Sequence, residues 1–118
     1  MILYTYQIPK WRKLKQQGYR LLDTTVKTGE PRLAPTWDMV MGVKRGTYSE
    51  ADYRRDYRNL LDYWWFHDPL FWDEFLALPE VALGRYCPNG NFCHRYLLVE
   101  FLREVTDVDY RGEIPSSH

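Results

Sequence analysis

One stretch of the chain is enough to predict the fold class: residues 81–105, which read VALGRYCPNGNFCHRYLLVEFLREV. Its first seven residues form a short, mostly apolar segment, as in a buried strand. From residue 93 onward, apolar side chains recur at the spacing of one helical face, namely Leu97, Leu98, Phe101, Leu102 and Val105. A strand that leads directly into an amphipathic helix indicates an α/β protein with a parallel sheet.

The same alternation extends towards the N-terminus. Strand patterns occupy ILYTYQI (2–8) and YRLLDTTV (19–26), with a short helix predicted between them at residues 10–17. Two prolines and a glycine mark residues 27–36 as a loop. Towards the C-terminus, VDYRGEI (108–114) is predicted as an edge strand.

Three further helices are predicted in the centre of the chain, at residues 37–44, from Ser49 to Trp64, and at residues 68–78. Ser49 followed by Asp52 resembles a capping box. The sequence therefore predicts an α/β fold: a single small domain over residues 1–118, with a three- or four-stranded, mostly parallel sheet packed with helices. We expect the core to span residues 2–114 and residues 115–118 to be frayed.

Length and composition narrow the functional classes. A chain of 118 residues with 45% apolar residues can bury one core. It has no apolar run near the roughly 20 residues that span a bilayer, and no secretory signal pattern at its start. We expect a cytoplasmic protein with no membrane contact, in which the two cysteines are reduced.

The formal net charge is zero, but the charge is unevenly distributed. Residues 1–60 carry 12 Lys/Arg against 6 Asp/Glu (+6), and residues 61–118 carry 4 against 10 (−6). Overall neutrality makes nucleic acid an unlikely partner, since that affinity depends on neutralising several phosphates. A local basic cluster either meets one small anionic ligand or forms a solvated face that pairs with the acidic half; its members are Lys10, Arg12, Lys13, Lys15 and Arg20.

Ligands of open α/β sheets collect beyond the carboxyl ends of the strands. Here those ends carry residues 25–28 and 87–91, so we expect the cysteine-containing turn to lie beside the loop that carries Lys27. The turn itself offers backbone N–H groups at Asn89, Gly90 and Asn91, and Asn91 can cap the following helix. A helix start lowers the pKa of a nearby thiol, which places Cys93 to become a thiolate.

His94 and Arg95 put potential positive charge into the first turn of this helix, where the helix dipole disfavours cations. Local stability would select Asp or Glu there. We therefore expect an anionic partner, which is either a ligand group or a buried carboxylate such as Asp23.

The cluster does not match a metal site. Cys87, Cys93 and His94 could supply three ligands with His67 as a fourth, but the C-x₅-C spacing differs from that of zinc knuckles and no second pair exists. We predict no metal and no cofactor. Neighbouring helical residues point about 100° apart, so a base for Cys93 would come from elsewhere in the fold.

The aromatic block YWWFHDPLFWDEF (63–75) suggests base stacking. Core packing is the stronger interpretation, because Trp64 and Trp72 each belong to the apolar stripe of a predicted helix. The same surplus of aromatic residues makes a homodimer conceivable.

Several segments together resemble the DUF488 family, in particular its short bacterial and phage-borne forms. They are YCPNGNFCHRYLLVEFL, the N-terminal YT strand, PTWDMVMGVKRG and SEADYRRDYRNLL. The resemblance covers most of residues 2–105 and implies a small α/β domain with a site near the C-x₅-CHR element. Members often carry Asp-x-Arg after the second strand. This chain has no Arg there, and Lys27 or Arg32 would have to replace it.

Two functions from different classes follow. The first is a pocket that binds, and in an enzyme processes, a small anionic ligand, most plausibly a nucleotide or a nucleotide-derived molecule. Cys93 or Cys87 would be the nucleophile and His94 the acid/base; the ligand contacts would come from Arg95, Asn89, Gly90, Asn91, Lys27, Lys44, Tyr4 and Asp23. The second is a protein-interaction module that engages a host protein, in which the CHR element is structural.

Overall fold

The computed structural model describes residues 1–85 and 94–114, and it confirms the predicted α/β class. Four strands form one sheet in the order β2-β3-β1-β4, and every neighbouring pair is parallel. The strands are β1 (Ile2–Gln7), β2 (Leu21–Asp23), β3 (Glu80–Arg85) and β4 (Asp109–Glu113). The edge strand predicted at residues 108–114 is therefore present as β4.

Five α-helices lie within the described residues: α1 (Trp11–Gln16), α2 (Trp37–Arg45), α3 (Glu50–His67), α4 (Pro69–Leu76) and α5 (His94–Val105). A 3₁₀ turn, Ile8–Lys10, precedes α1. The predicted cap of α3 is confirmed in part, since the Ser49 hydroxyl accepts a hydrogen bond from the Asp52 N–H at 3.0 Å. Within these residues, no helix is long and apolar enough to cross a membrane.

The helices are divided between the two faces of the sheet. The chain moves in one direction across the sheet from β1 to β2 and in the opposite direction from β2 to β4. Because parallel crossovers are right-handed, this reversal places α1 on one face and the later helices on the other. Two core clusters agree with it: Leu3, Val81 and Leu83 pack with α2–α5, whereas Tyr6 and Ala82 pack with Leu14 of α1.

The second strand is shorter than the predicted span 19–26. It ends at Asp23 because the Asp23 carboxylate accepts hydrogen bonds from the Thr25 N–H at 2.8 Å and from the Thr28 hydroxyl at 2.5 Å. Such local carboxylate bonds turn the backbone away from the sheet. Gly29 completes this turn, since a Cβ there would lie 2.4 Å from the Thr25 nitrogen.

Because β2 and β3 are neighbours in the sheet, the residue after β2 contacts the first residue of α5. The His94 Nε2, at the start of α5, lies 3.0 Å from the Thr24 hydroxyl oxygen. The contact joins the end of β2 to the start of α5, whereas the position of the cysteine-containing turn beside Lys27 stays a prediction. Residues 86–93 and 115–118, including the predicted frayed end, lie outside the described residues.

Candidate functional site

Arg85 is the last residue of β3, and its side chain is completely buried. Alternation along the strand places it on the same face as Val81 and Leu83, which is the face covered by α5. Its neighbour across the sheet is Gln7, the last residue of β1. A guanidinium thus lies at the carboxyl edge of the parallel sheet, where α/β proteins bind their ligands.

The hydrogen bonds of Arg85 are incomplete. Nη2 donates to the carboxylate of Glu113 in β4. Among the residues that the structure describes, Nε and Nη1 have no hydrogen-bond partner. Burial lowers the pKa of Arg85, the charge of Arg95 lowers it further, and Glu113 raises it. The effect of Arg95 means that two guanidinium groups lie close together in the interior.

Arg95 belongs to the first turn of α5 and is 2% exposed. Its Nη2 donates to the Tyr96 hydroxyl at 2.5 Å, and its guanidinium carbon lies 4.2 Å from the centroid of the Tyr96 ring. Sequence analysis proposed Asp23 as one carboxylate that could compensate this helix start. In the structure Asp23 accepts hydrogen bonds within its own turn, and its charge opposes the lowering of the His94 pKa. Glu113 also joins the cluster, through Arg85.

His94 is buried beside this pair. Its ring meets Tyr57 edge-on at 5.6 Å between centroids, and its Nε2 lies 3.0 Å from the Thr24 hydroxyl oxygen and 3.1 Å from the Thr24 carbonyl oxygen. Burial lowers the pKa of His94 to about 4, and the charge of Arg95 acts in the same direction. The pKa falls because this imidazole is removed from water, which disfavours its charged form.

The contacts of Thr24 fix the tautomer of His94. The Thr24 hydroxyl donates its hydrogen to the Gly84 carbonyl at 2.8 Å, so it can only accept from His94. The Thr24 carbonyl oxygen is also only an acceptor. Nε2 therefore carries the imidazole hydrogen, and Nδ1 presents a lone pair. At neutral pH, His94 is an uncharged ring that accepts a hydrogen bond or a proton at Nδ1.

The other predicted ligand contacts are scattered. Lys27 is exposed in the loop after β2, and Lys44 is exposed in the last turn of α2. Tyr4 packs beside the cluster on the α1 face, with its ring 5.4 Å from that of Tyr19, so the sheet separates it from Arg85. Arg32 pairs with Glu30 and with Asp68 at the start of α4, and its replacement of the family arginine stays a prediction.

The remaining predicted site residues, Cys87, Asn89, Gly90, Asn91 and Cys93, lie outside the described residues. Their roles stay predictions. Within residues 1–85 and 94–114, no three His, Cys, Asp or Glu side chains are grouped closely enough to hold a metal ion.

Sequence reasoning missed Arg85, Glu113 and Thr24. A cation at the end of an apolar strand was the available signal for Arg85, but strand ends are usually solvated, and only the sheet order shows that α5 covers this one. Glu113 joins the site from β4, a strand two positions away in the sheet. Such a contact between distant segments leaves no mark in local sequence patterns.

Comparison with known proteins gives one informative result. No curated protein and no solved structure matches the chain. A family model matches residues 6–106, and it describes the active DUF488-N3 subclade. The match covers most of the chain, including β3 with Arg85 and α5 with Arg95. The chain belongs to the DUF488-N3a family.

Proposed function

We propose that this protein binds a small anionic ligand of the nucleotide type at the carboxyl edge of its sheet. Arg85 and Arg95 would hold the anionic group, and the segment between them would contribute backbone N–H groups. Guanidinium groups suit this task because their planar fork matches the oxygens of phosphate and carboxylate.

The observation that carries the proposal is the state of Arg85. It is completely buried, and two of its donor nitrogens have no partner among the described residues. A buried donor without a partner costs about 1–3 kcal/mol, and more when it is charged. The repulsion from Arg95 adds to this cost. A bound anion would offset both terms, whereas Glu113 alone satisfies only Nη2.

His94 adds a chemical function to this pocket. With its hydrogen held on Nε2 by Thr24, the ring can accept a proton or a hydrogen bond at Nδ1. Its low pKa favours the role of a base over that of an acid at neutral pH. In an enzyme, Cys93 or Cys87 would be the nucleophile. The family description, an active subclade, supports turnover.

Thermal unfolding of the reduced protein tests the proposal, with inorganic phosphate, mononucleotides, cyclic dinucleotides and ADP-ribose as probes. A ligand at about 100 times its Kd should stabilise the native state by about 2.7 kcal/mol. Arg95→Gln should abolish this stabilisation. Arg103→Gln is the matched control, because it removes the same charge from an exposed position on the same helix.

Arg85→Lys provides a second variant that keeps the buried charge but loses the planar fork. It should weaken binding while circular dichroism shows an intact fold. Equal stabilisation of the parent protein, Arg95→Gln and Arg85→Lys by every probe would contradict the proposal.

A second function, the protein-interaction module, is favoured by a different observation. At the junction of α3 and α4, Phe66 is 81% exposed and Leu70 is 66% exposed. Large exposed apolar side chains that lie together often mark contact sites between proteins. A second copy of the chain is the simplest partner to test. Sedimentation equilibrium should show self-association that Phe66→Glu removes; a monomer at all concentrations would contradict self-association through this junction.

A further inference from the structure

A groove of about 540 Å³ lies on the α1 face, across the sheet from Arg85. Its volume lies within the usual range of ligand sites, enough for about one or two nucleotides. Apolar and aromatic side chains form its floor, and cations stand at its rim. The lining includes Tyr6, Trp11, Lys15, Tyr19, Arg20 and Leu21. One carboxylate also lines the groove, that of Asp23, and it accepts hydrogen bonds from the Thr25 N–H and the Thr28 hydroxyl.

The cations around α1 lack ion-pair partners within the described parts of the chain. This holds for Lys10, Arg12, Lys13, Lys15 and Arg20. The arginines of α3 differ, because Arg54, Arg55 and Arg58 all pair with carboxylates. These ion pairs neutralise part of the positive charge of residues 1–60. Among the described residues, the positive charge around α1 is not neutralised in this way.

Aromatic rings lie among these cations. Trp11 is 43% exposed, and the Arg12 guanidinium lies over its ring at 5.3 Å from the centroid. Tyr19, which also lines the groove, is held edge-on against Tyr4 at 5.4 Å between ring centroids. An exposed ring, that of Trp11, thus lies beside cations without ion-pair partners among the described residues, and single-stranded nucleic acid binds such surfaces because bases stack on rings and phosphates meet cations.

We propose that this groove binds a single strand of nucleic acid without sequence preference. The overall neutrality of the chain pointed away from nucleic acid, but the ion pairs of α3 show that the local charge at α1 differs from the total. An anionic membrane fits the surface less well. The helix α1 has six residues, and its apolar Leu14 faces the core, so it lacks the broad apolar face of an interfacial helix.

The inference is independent of the proposed nucleotide pocket, because the groove and Arg85 lie on opposite faces of the sheet. Fluorescence anisotropy with a labelled oligothymidylate tests it. Two cations, Lys15 and Arg20, line the groove, and a third, Arg12, lies over the ring of the lining residue Trp11. Neutralisation of about three phosphates gives a log–log salt slope of about −2.1, or about a 20-fold loss of affinity between about 50 and 200 mM salt.

Single substitutions separate the groove from general charge. Lys15→Gln and Arg20→Gln should each reduce the slope by about 0.7. Lys13→Gln is the matched control on the same helix. Lys13 and Lys15 are each rotated by about 100° from the inward-facing Leu14, in opposite directions, and only Lys15 lines the groove. Lys13→Gln should leave the slope unchanged.

The contribution of stacking is tested with Trp11→Ala, which should weaken binding about five- to 150-fold at an unchanged salt slope. An abasic oligonucleotide of the same length should bind the parent protein as weakly. Arg95→Gln should bind the oligothymidylate normally, which distinguishes this groove from the nucleotide pocket.

Four outcomes would overturn the inference: no oligothymidylate binding at low salt, equal binding of the abasic strand, equal binding of polyglutamate or anionic vesicles, or equal slopes for Lys13→Gln and Lys15→Gln. The first outcome would show that no strand binds, the second that stacking does not contribute, the third that any polyanion suffices, and the fourth that the groove cations make no specific contact.

Discussion

His94 and Thr24 form a unit in which the positions of the protons are determined by the acceptors around them. The Thr24 hydroxyl donates to the Gly84 carbonyl, and the imidazole donates from Nε2 to Thr24. This unit joins the end of β2 to the start of α5. Its two members are therefore important both for the lone pair at Nδ1 and for the stability of the sheet edge.

The low pKa of His94 predicts a particular dependence of stability on pH. The unfolded imidazole takes up a proton below about pH 6.5, whereas the folded one does so only below about pH 4. Because the unfolded state binds more protons between these values, the free energy of unfolding should fall as the pH is lowered from about 6.5 to about 4. The loss should reach about 3 kcal/mol.

Urea unfolding at a series of pH values measures this dependence. His94→Gln keeps an N–H donor near the Nε2 position but does not titrate, so it should lose this part of the slope. His67→Gln, at an exposed histidine, should retain it. Identical slopes for His94→Gln and the parent protein would show that the imidazole of His94 is not buried in its neutral form.

Thr24→Val is the second prediction at this scale. Valine keeps the shape but removes the donor to Gly84 and the acceptor for His94, so two buried polar groups lose a partner. We expect a loss of about 2–3 kcal/mol in the free energy of unfolding. Thr24→Ser keeps the hydroxyl and should cost only about 1 kcal/mol, from the lost methyl group. A larger loss of stability in Thr24→Ser would show that packing of the methyl group, and not the hydrogen bonds of the hydroxyl, accounts for the stabilisation.

At the scale of elements, Arg32 connects the loop after β2 to the junction of α3 and α4. It pairs with Glu30 at 2.5 Å and with Asp68 at 2.7 Å, and its guanidinium lies 4.1 Å from the centroid of the Phe71 ring. Burial alone would raise the pKa of Glu30, but the hydrogen bonds and charge of Arg32 hold it below its usual value. Asp68 also caps α4.

Arg32→Lys should therefore destabilise the protein although the charge is kept. A lysine cannot bridge two carboxylates and stack on Phe71 with one rigid plane, and we expect a loss of about 1–2 kcal/mol in the free energy of unfolding. Arg55→Lys is the control, since Arg55 forms its ion pairs at the exposed surface of α3, and it should leave stability unchanged. Equal stability of the two variants would contradict a structural role for Arg32.

The elements themselves were largely predictable from the sequence. Apolar residues recurring at helical spacing identified α3, whose Tyr53, Tyr57 and Leu61 are buried, and Ser49 identified its start. The length of β2 was not predictable, because the turn at Asp23 depends on hydrogen bonds that compete with strand pairing. Only part of the aromatic block 63–75 lies in the core: Trp72 and Phe75 are buried, whereas Phe66 is exposed. Core packing was predicted for Trp72 from its helical spacing, but no local pattern marks which side of the α3–α4 junction remains uncovered.

At the scale of the whole molecule, the charge polarity of the sequence is partly cancelled by the packing of α3 on α5. Arg54 pairs with Glu100 at 3.2 Å and Arg58 with Glu104 at 2.6 Å. These pairs join the basic first half to the acidic second half. All four side chains are about half exposed, so salt and water screen their interaction.

The double variant Arg54→Gln/Arg58→Gln tests how much these pairs stabilise the fold. Each pair should contribute less than about 1 kcal/mol to the free energy of unfolding at low salt. The difference from the parent protein should vanish near 1 M salt, where the screening length falls to about 3 Å. A loss that persists at high salt would show that the arginine stems contribute by packing on α5, for example through Arg58 on Phe101.

The strand order could not be predicted, and the site depended on it. Alternating elements predicted parallel strands but did not show that β3 lies between β2 and β1. That order brings Thr24 to His94, and it leaves Arg85 within reach of Glu113. The sequence located the region of the site through His94 and Arg95, whereas Arg85, Glu113 and Thr24 became apparent only from the arrangement of the sheet.

The central place of β1 has a consequence for biosynthesis. Ile2 pairs with Glu80 on one side and with Asp109 on the other, so β1 leaves the ribosome before both of its partners, β3 and β4. Contacts between segments so distant in sequence make folding slow. During translation, both edges of this aromatic strand therefore remain open to pairing with other chains, and molecular chaperones would have to protect them until β3 and β4 arrive.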